Sequence, residues 1–318
     1  MTKICKGGAM REYPHKQSLE RREFLKTSAK FGAVASLVSL SGFALSACDS
    51  KTSNTQTQHI QGDTMKTNLT PKAKQTFEKL FGSTDVPLSK SDPEFFSNYV
   101  NFAFDEVPTE SKLELKEGLM ITLASLVAIP ALSEFKAILN AALKNGVEPV
   151  AIKEILYQAT PYVGMGKVLD FINATNEIFA QQGIALPLES QGRVEYAQRR
   201  EKGLETQRAL FGEAIDKGNA AAPKDYQHIR TFLSANCFGD YYTRGGLPLK
   251  FRELLTLVYI LSMGGADSQV RAHIAGNIRV GNDRGKLISV ITALVPYIGY
   301  PRSLNALSAL DEIAPLSN

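Results

Sequence analysis

The chain has 318 residues, of which 44% are hydrophobic and 21% charged, with a net charge of +4. That length supplies a sizeable buried core, and the composition reads as an ordinary soluble globular body. Lys and Arg are spread among Glu and Asp with no basic block carrying interleaved aromatics, which excludes nucleic acid as the expected partner.

Taken in chain order, the first distinctive stretch is residues 20–48, a charged segment followed by a weakly apolar run from Phe31 to Leu45. The run falls short of the ~20 apolar residues a membrane span needs and is diluted by Ser and Gly. Arg21-Arg22 followed by Phe24-Leu25-Lys26 resembles a twin-arginine export signal, and Leu45-Ser46-Ala47-Cys48 resembles a lipobox. The expectation is an export signal over 1–47, lipid on Cys48, and a periplasmic protein anchored to the membrane through that lipid. Asp49 resembles a signal for retention at the inner membrane. Residues 49–70 are rich in Ser, Thr, Gln and Asn and read as a tether, with the flexible segment drawn from 48 to 85. His59, alone in that tether, is given no function. Of three cysteines, Cys5 leaves with the signal and Cys48 is consumed by lipid, so Cys237 remains as a lone thiol without a disulfide partner.

From Pro71 onward the apolar residues recur at helical spacing and no strand pattern emerges, which predicts an all-α body. Helices are expected over Leu115 to Leu126 and Phe135 to Leu143, the latter ended by Gly146. Another opens at Glu148-Pro149 and runs to about Ala159, with Pro161 interrupting it. A further helix spans about 164–181, and the stretch 180–192 is a boundary. A long charged helix over 193–217 is expected on the outside of the body or against a partner. A helix ending at Arg244-Gly245-Gly246 precedes the most patterned stretch, Leu247 to Asn305.

That stretch repeats an earlier one. At an offset of 135 residues Ala137 meets Ala272, Gly146 meets Gly281, Pro161 meets Pro296, Tyr162 meets Tyr297 and Gly164 meets Gly299. Glu117 meets Glu253 at an offset of 136. A duplicated helical unit is the simplest reading, with copies over 86–190 and 191–318.

The second copy carries Arg252-Glu253-Leu254, Gly264-Gly265, Arg271-Ala272-His273-Ile274, Gly281, and Pro296 to Gly299 with Leu304-Asn305 beyond. Upstream lie Glu201-Lys202-Gly203-Leu204, Phe211-Gly212-Glu213-Ala214 and Cys237-Phe238-Gly239-Asp240. Together these resemble the carboxymuconolactone decarboxylase family, which shares its all-helical fold with the alkylhydroperoxidase AhpD. The resemblance implies duplicated units of an AhpD-like helical bundle and a homo-oligomer, here a trimer. AhpD-type peroxidases place a Cys-x-x-Cys pair before the histidine. Counting back from His273, those positions are Ala266 and Gln269, so the thiols that peroxide chemistry needs are missing. In the first copy Ile138 stands in the histidine position.

The implied chemistry is decarboxylation of a small lactone or oxo acid with neither metal nor organic cofactor. His273 is the candidate proton donor, because histidine titrates near neutral pH, and Glu253 is the candidate partner that holds its other nitrogen. Arg271 or Arg244 are candidates to grip the substrate carboxylate, and Tyr241 with Tyr242 to line the mouth. Plainer roles stay open at this point. Glu253 near a helix start can serve as a cap. Arg271, two residues from His273, falls on another helix face. Cys237 reads as a small buried residue and His228 as an outward one. Two competing functions also stay open: a peroxide-reducing oxidoreductase, which the missing thiols disfavour, and a non-catalytic lipoprotein that binds a small acid.

Overall fold

The computed structural model describes residues 67–316. The expected export signal, Cys48 and the expected tether up to residue 66 lie outside the described residues. The first helix, α1 (Pro71–Phe81), already belongs to the body. The Thr70 hydroxyl accepts the Ala73 N–H at 3.1 Å, Pro71 opens the first turn, and Gly82 closes the helix at φ 93°. Ala73, Phe77 and Leu80 recur at helical spacing and are buried, and Phe77 meets Phe96 and Phe104 edge-on at 5.4 and 5.3 Å. The flexible segment drawn to residue 85 is therefore too long at its C-terminal end: the tether composition stops at Thr70, and the residues from Pro71 onward have an apolar face to bury.

Short helices α2 (Pro87–Ser91) and α3 (Pro93–Asn101) lead into a π-helical turn, Phe102–Glu106, and then α4 (Val107–Ser111). The first copy proper is α5 (Leu115–Ala128), α6 (Leu132–Lys144), α7 (Pro149–Val163) and α8 (Met165–Gln181). A connection comes next: a 3-10 turn at Tyr196–Gln198, α9 (Arg199–Phe211), α10 (Ala214–Ala220) and a second 3-10 turn at Lys224–Tyr226. The second copy opens with α11 (Gln227–Phe232), which passes into a ten-residue π-helical segment, Leu233–Tyr242. It continues with α12 (Leu249–Met263), α13 (Asp267–Arg279) and α14 (Arg284–Ile313), the last kinked at Gly299. Among the described residues there is no strand.

The repeat is visible in backbone detail. Gly146 and Gly281 end equivalent helices at φ 78° and 89°, and Gly164 and Gly299 make equivalent breaks at 89° and 76°. Glu148 and Asp283 precede equivalent helices, and the Asp283 carboxylate caps its own by accepting the Lys286 N–H at 2.7 Å. Pro161 and Pro296 both sit inside a helix, so it is the glycine three residues later that turns the chain. The expected break at Pro161 thus moves to Gly164.

The two copies share one apolar core rather than each closing its own. It runs from Ala73 to Leu310 and takes in α5, α7, α12 and α14 together. The Ser262 hydroxyl of α12 donates to Ser125 of α5 at 2.9 Å across this buried contact. By length and composition α14 resembles a membrane span, but it kinks at Gly299 and its Leu287, Val290, Ile291 and Leu294 are core.

The single charged helix expected over 193–217 is two helices, broken at Gly212 with φ 65°. Nor does α9 lie loosely on the outside. It packs backbone to backbone against the π-helical segment through two glycines. A Cβ on Gly203 would stand 1.8 Å from the Ser234 carbonyl oxygen, and one on Gly239 would stand 2.0 Å from that of Arg199. Side-chain polarity is a poor guide where contact is made by glycine backbone.

Candidate active site

The π-helical segment, α7, α9, α12 and α13 converge on His273. Glu253, fully buried on α12, meets it from one side: His273 Nδ1 lies 2.7 Å from Glu253 Oε1. Behind Glu253 a chain of hydrogen bonds all points at its carboxylate. Arg252 Nη1 donates to Gln158 Oε1 at 3.1 Å, and Gln158 Nε2 donates to Thr256 Oγ1 at 3.3 Å. Thr256 Oγ1 is 2.6 Å from the Tyr242 hydroxyl, which donates to Glu253 Oε2 at 2.7 Å. With Tyr242 donating to one carboxylate oxygen, the other is left to accept from His273, an arrangement that favours the tautomer with its proton on Nδ1. The second ring nitrogen, Nε2, has no hydrogen-bond partner among the described residues.

The ring sits between two aromatics. Phe211, the last residue of α9, approaches edge-on at 5.3 Å between centroids, and Tyr162 of α7 does so at 6.0 Å. The residue is 8% exposed, so the imidazole is largely shielded but not sealed. Tyr162 donates to the Tyr242 hydroxyl at 3.3 Å and accepts from Cys237 Sγ at 3.3 Å. Burial, first of all, and the nearby Glu253 charge push both tyrosine hydroxyls well above their ordinary range, so they act as neutral donors. Burial likewise pushes the Cys237 thiol up to about 12. It is a buried, protonated sulfur, which matches the plain reading of that residue.

Two small residues permit this geometry. Gly276 lets α13 approach the carboxylate: a Cβ there would stand 2.4 Å from Glu253 Oε1. Asn277 pins the two helices, donating to the backbone oxygens of Glu253 at 3.1 Å and His273 at 2.7 Å. The Asn277 amide is held in turn by Asn282 at 2.7 Å.

His273 and Glu253 are therefore brought together, and Glu253 is no cap, since it lies in the second turn of α12. The two arginines are elsewhere. Arg271 faces away from the site and pairs with Glu312 at 2.8 Å. Arg244 forks onto Glu154, with Nε and Nη2 within 3.0 Å of its oxygens, and Glu154 also takes the buried Arg252 at 2.9 Å. Arg244 is thus part of the support behind the site and does not reach His273. Tyr241 lies half-buried beside Thr160, and it is the next residue, Tyr242, that joins the site. His228 is exposed. No cluster of metal-ligating side chains occurs among the described residues.

The sequence pattern named Tyr162 in the repeated turn and Phe211 in the family motif without giving either a place at the site, and it did not name Thr256 or Gly276. One signal was available for Tyr162. The paired Pro-Tyr-x-Gly turns place Tyr162 of the first copy in the second copy's site, and Tyr297 of the second copy in the first's. Tyr162 lies by Thr256 and Tyr297 by Thr122. These matched contacts relate α5 to α12 by 134 residues, so Leu119, not Glu117, stands in the place of Glu253. Glu117 instead pairs with Lys286 of α14. With Leu119, Ile138 and Val107 where the second copy has Glu253, His273 and Tyr242, the first copy encloses an apolar cavity of about 110 Å³.

Comparison with known proteins agrees with this duplication. The model of the carboxymuconolactone decarboxylase family matches twice, over residues 93–177 and 228–312. A 4-carboxymuconolactone decarboxylase of Acinetobacter baylyi is 28% identical over 117 residues, 36% of this chain and 87% of that protein. A solved structure from Burkholderia xenovorans, described as a gamma-carboxymuconolactone decarboxylase subunit, is similar at 18% identity with a TM-score of 0.44, covering 76% of this chain and 96% of that one.

Proposed function

Because the chain belongs to the carboxymuconolactone decarboxylase family, we propose that it is a carboxy-lyase that decarboxylates a small lactone or oxo acid, with His273 as the proton donor. The observation that carries this is the ring held at Nδ1 by Glu253 with Nε2 left without a hydrogen-bond partner among the described residues. In the reaction the bond between the substrate carbon and its carboxylate breaks and CO₂ leaves. The electron pair moves into the conjugated carbonyl system. As the resulting enolate returns its electron pair to one of its carbons, the His273 imidazolium gives that carbon its Nε2 proton, and solvent restores it. Glu253 fixes the ring and balances its charge, while Phe211 and Tyr162 limit water around it. The missing thiol pair and the protonated state of Cys237 stand against a peroxide-reducing reading.

The test is CO₂ release from carboxymuconolactone and a panel of related oxo acids by the purified protein. Turnover should fall by about 10²–10⁴-fold in His273→Ala, the usual worth of a positioned acid. Unchanged turnover in that variant, or no turnover of any acid by the wild type, would overturn the reading and favour a small-acid-binding lipoprotein.

Export through the Arg21-Arg22 signal, lipid on Cys48 and a periplasmic, membrane-anchored location belong to the same proposal; absence of radioactive fatty-acid label on the wild type would refute the anchor. We propose a homotrimer as well; self-association, though not its stoichiometry, is supported by apolar positions exposed alike in both copies, Met165 with Tyr300 and Leu169 with Leu304. Light scattering that shows a monomer at micromolar concentration would count against it.

A further inference from the structure

We propose that a second cavity, walled by α7, α8 and residues 186–191, is a binding site for a small organic carboxylate seated on Lys153. The cavity holds about 510 Å³, within the range of small-molecule sites. None of its lining residues is His273, Glu253 or Tyr242, so it is distinct from the site above.

Its floor is cationic. Lys153 is only 6% exposed and has no carboxylate partner among the described residues; its ammonium donates to Asn176 Oδ1 and lies 5.7 Å from the centre of the Phe179 ring, which attracts a cation without neutralising it. A buried ammonium carries three N–H donors and a strong need for an opposite charge. Arg244 borders the same cavity. Glu154, the carboxylate nearest in sequence, is already taken by Arg244 and by Arg252 and leaves no charge over for Lys153. Glu189 is the other acid on the lining, and it is exposed on the rim. The floor therefore carries a charge that the protein does not neutralise itself. Burial pulls the Lys153 ammonium down from its ordinary range, as an unneutralised cation in an apolar wall requires.

Beside the polar Ser190 and Gln191, the rest of the wall is mostly apolar. Val150, Tyr157, Leu186, Pro187 and Leu188 face the same space. A ligand with a carboxylate at one end and a flat or aliphatic body at the other meets both halves. A bare inorganic anion would leave the apolar half unused.

Isothermal titration of the full chain with benzoate, and with benzamide as the neutral isostere, tests the proposal. Benzoate should bind, and benzamide should bind about tenfold more weakly or worse, the worth of one charge-assisted hydrogen bond. Lys153→Met should lose a similar factor for benzoate, while His273→Ala should bind it as the wild type does. Val150→Phe fills the cavity without touching a charge and should also weaken benzoate, which keeps the test alive should Lys153→Met fail to fold. No heat with millimolar benzoate, equal affinity for benzamide, or undiminished binding in Lys153→Met or in Val150→Phe would each overturn the assignment. So would binding lost in His273→Ala, which would place the carboxylate at the other site.

Discussion

Gly276→Ala offers a direct test of how the helices that carry Glu253 and His273 are held together. On an exposed helix the change would stabilise by about 1 kcal/mol, because alanine is the better helix former. Here the added Cβ would stand 2.4 Å from Glu253 Oε1 and 3.2 Å from both the Glu253 carboxyl carbon and a Phe211 ring carbon. The carboxylate cannot retreat freely, since Tyr242 holds its other oxygen at 2.7 Å and the residue is fully buried. Overpacking of this kind costs about 1–3 kcal/mol, and a strained or broken charged hydrogen bond to His273 adds about 1.5–3 kcal/mol. After the helix-propensity gain, a net loss of about 1.5–5 kcal/mol is expected. Urea unfolding followed by circular dichroism measures it. A double-mutant cycle isolates the cause: in a Glu253→Ala background the nearest clash is gone, and Gly276→Ala should become nearly neutral. A coupling of about 1–3 kcal/mol is expected for residues in such contact. Additive effects, or a Gly276→Ala protein as stable as the wild type, would refute the claim that this glycine exists to admit the carboxylate.

Glu154→Gln should destabilise by about 3–5 kcal/mol, because it strands the fully buried Arg252 without its counter-ion; the same unfolding assay reads this, and a loss under about 1 kcal/mol would mean that Gln158 and the Gly245 carbonyl suffice. The buried acids also set alkaline stability. The folded Cys237 thiol is pushed up to about 12 from an ordinary 9.0, and Tyr162, Tyr242 and Tyr259 are also held well above their usual range. The unfolded chain therefore sheds these protons first, and stability should fall steadily as pH rises from about 9 to about 12. Flat stability over that window would contradict the buried, protonated assignment. In the folded protein at pH 8, Cys237 should resist thiol reagents; rapid labelling would restore the peroxide-type reading.

Much of this architecture is local and was legible in the residues. Helical spacing of apolar side chains, the glycines at 146 and 281, and the repeated Pro-Tyr-x-Gly turns determine an all-helical, duplicated chain, because periodicity and left-handed backbone are properties of a few consecutive residues. The Glu253–His273 pair was legible as well, through the family motif that contains both. What tertiary structure alone decided is everything that depends on two distant segments meeting. Which tyrosine reaches Glu253 is set by the π-helical rotation of residues 233–242, a state that helical periodicity does not encode. That Arg271 turns outward to Glu312, and Arg244 to Glu154, depends on where α14 and α7 lie. The register of α5 against α12 came from the contacts of Tyr162 and Tyr297, not from matching glutamates. Helix packing alone makes Gly203, Gly239 and Gly276 indispensable, since the absence of a side chain signals nothing until a second backbone or a carboxylate occupies the space.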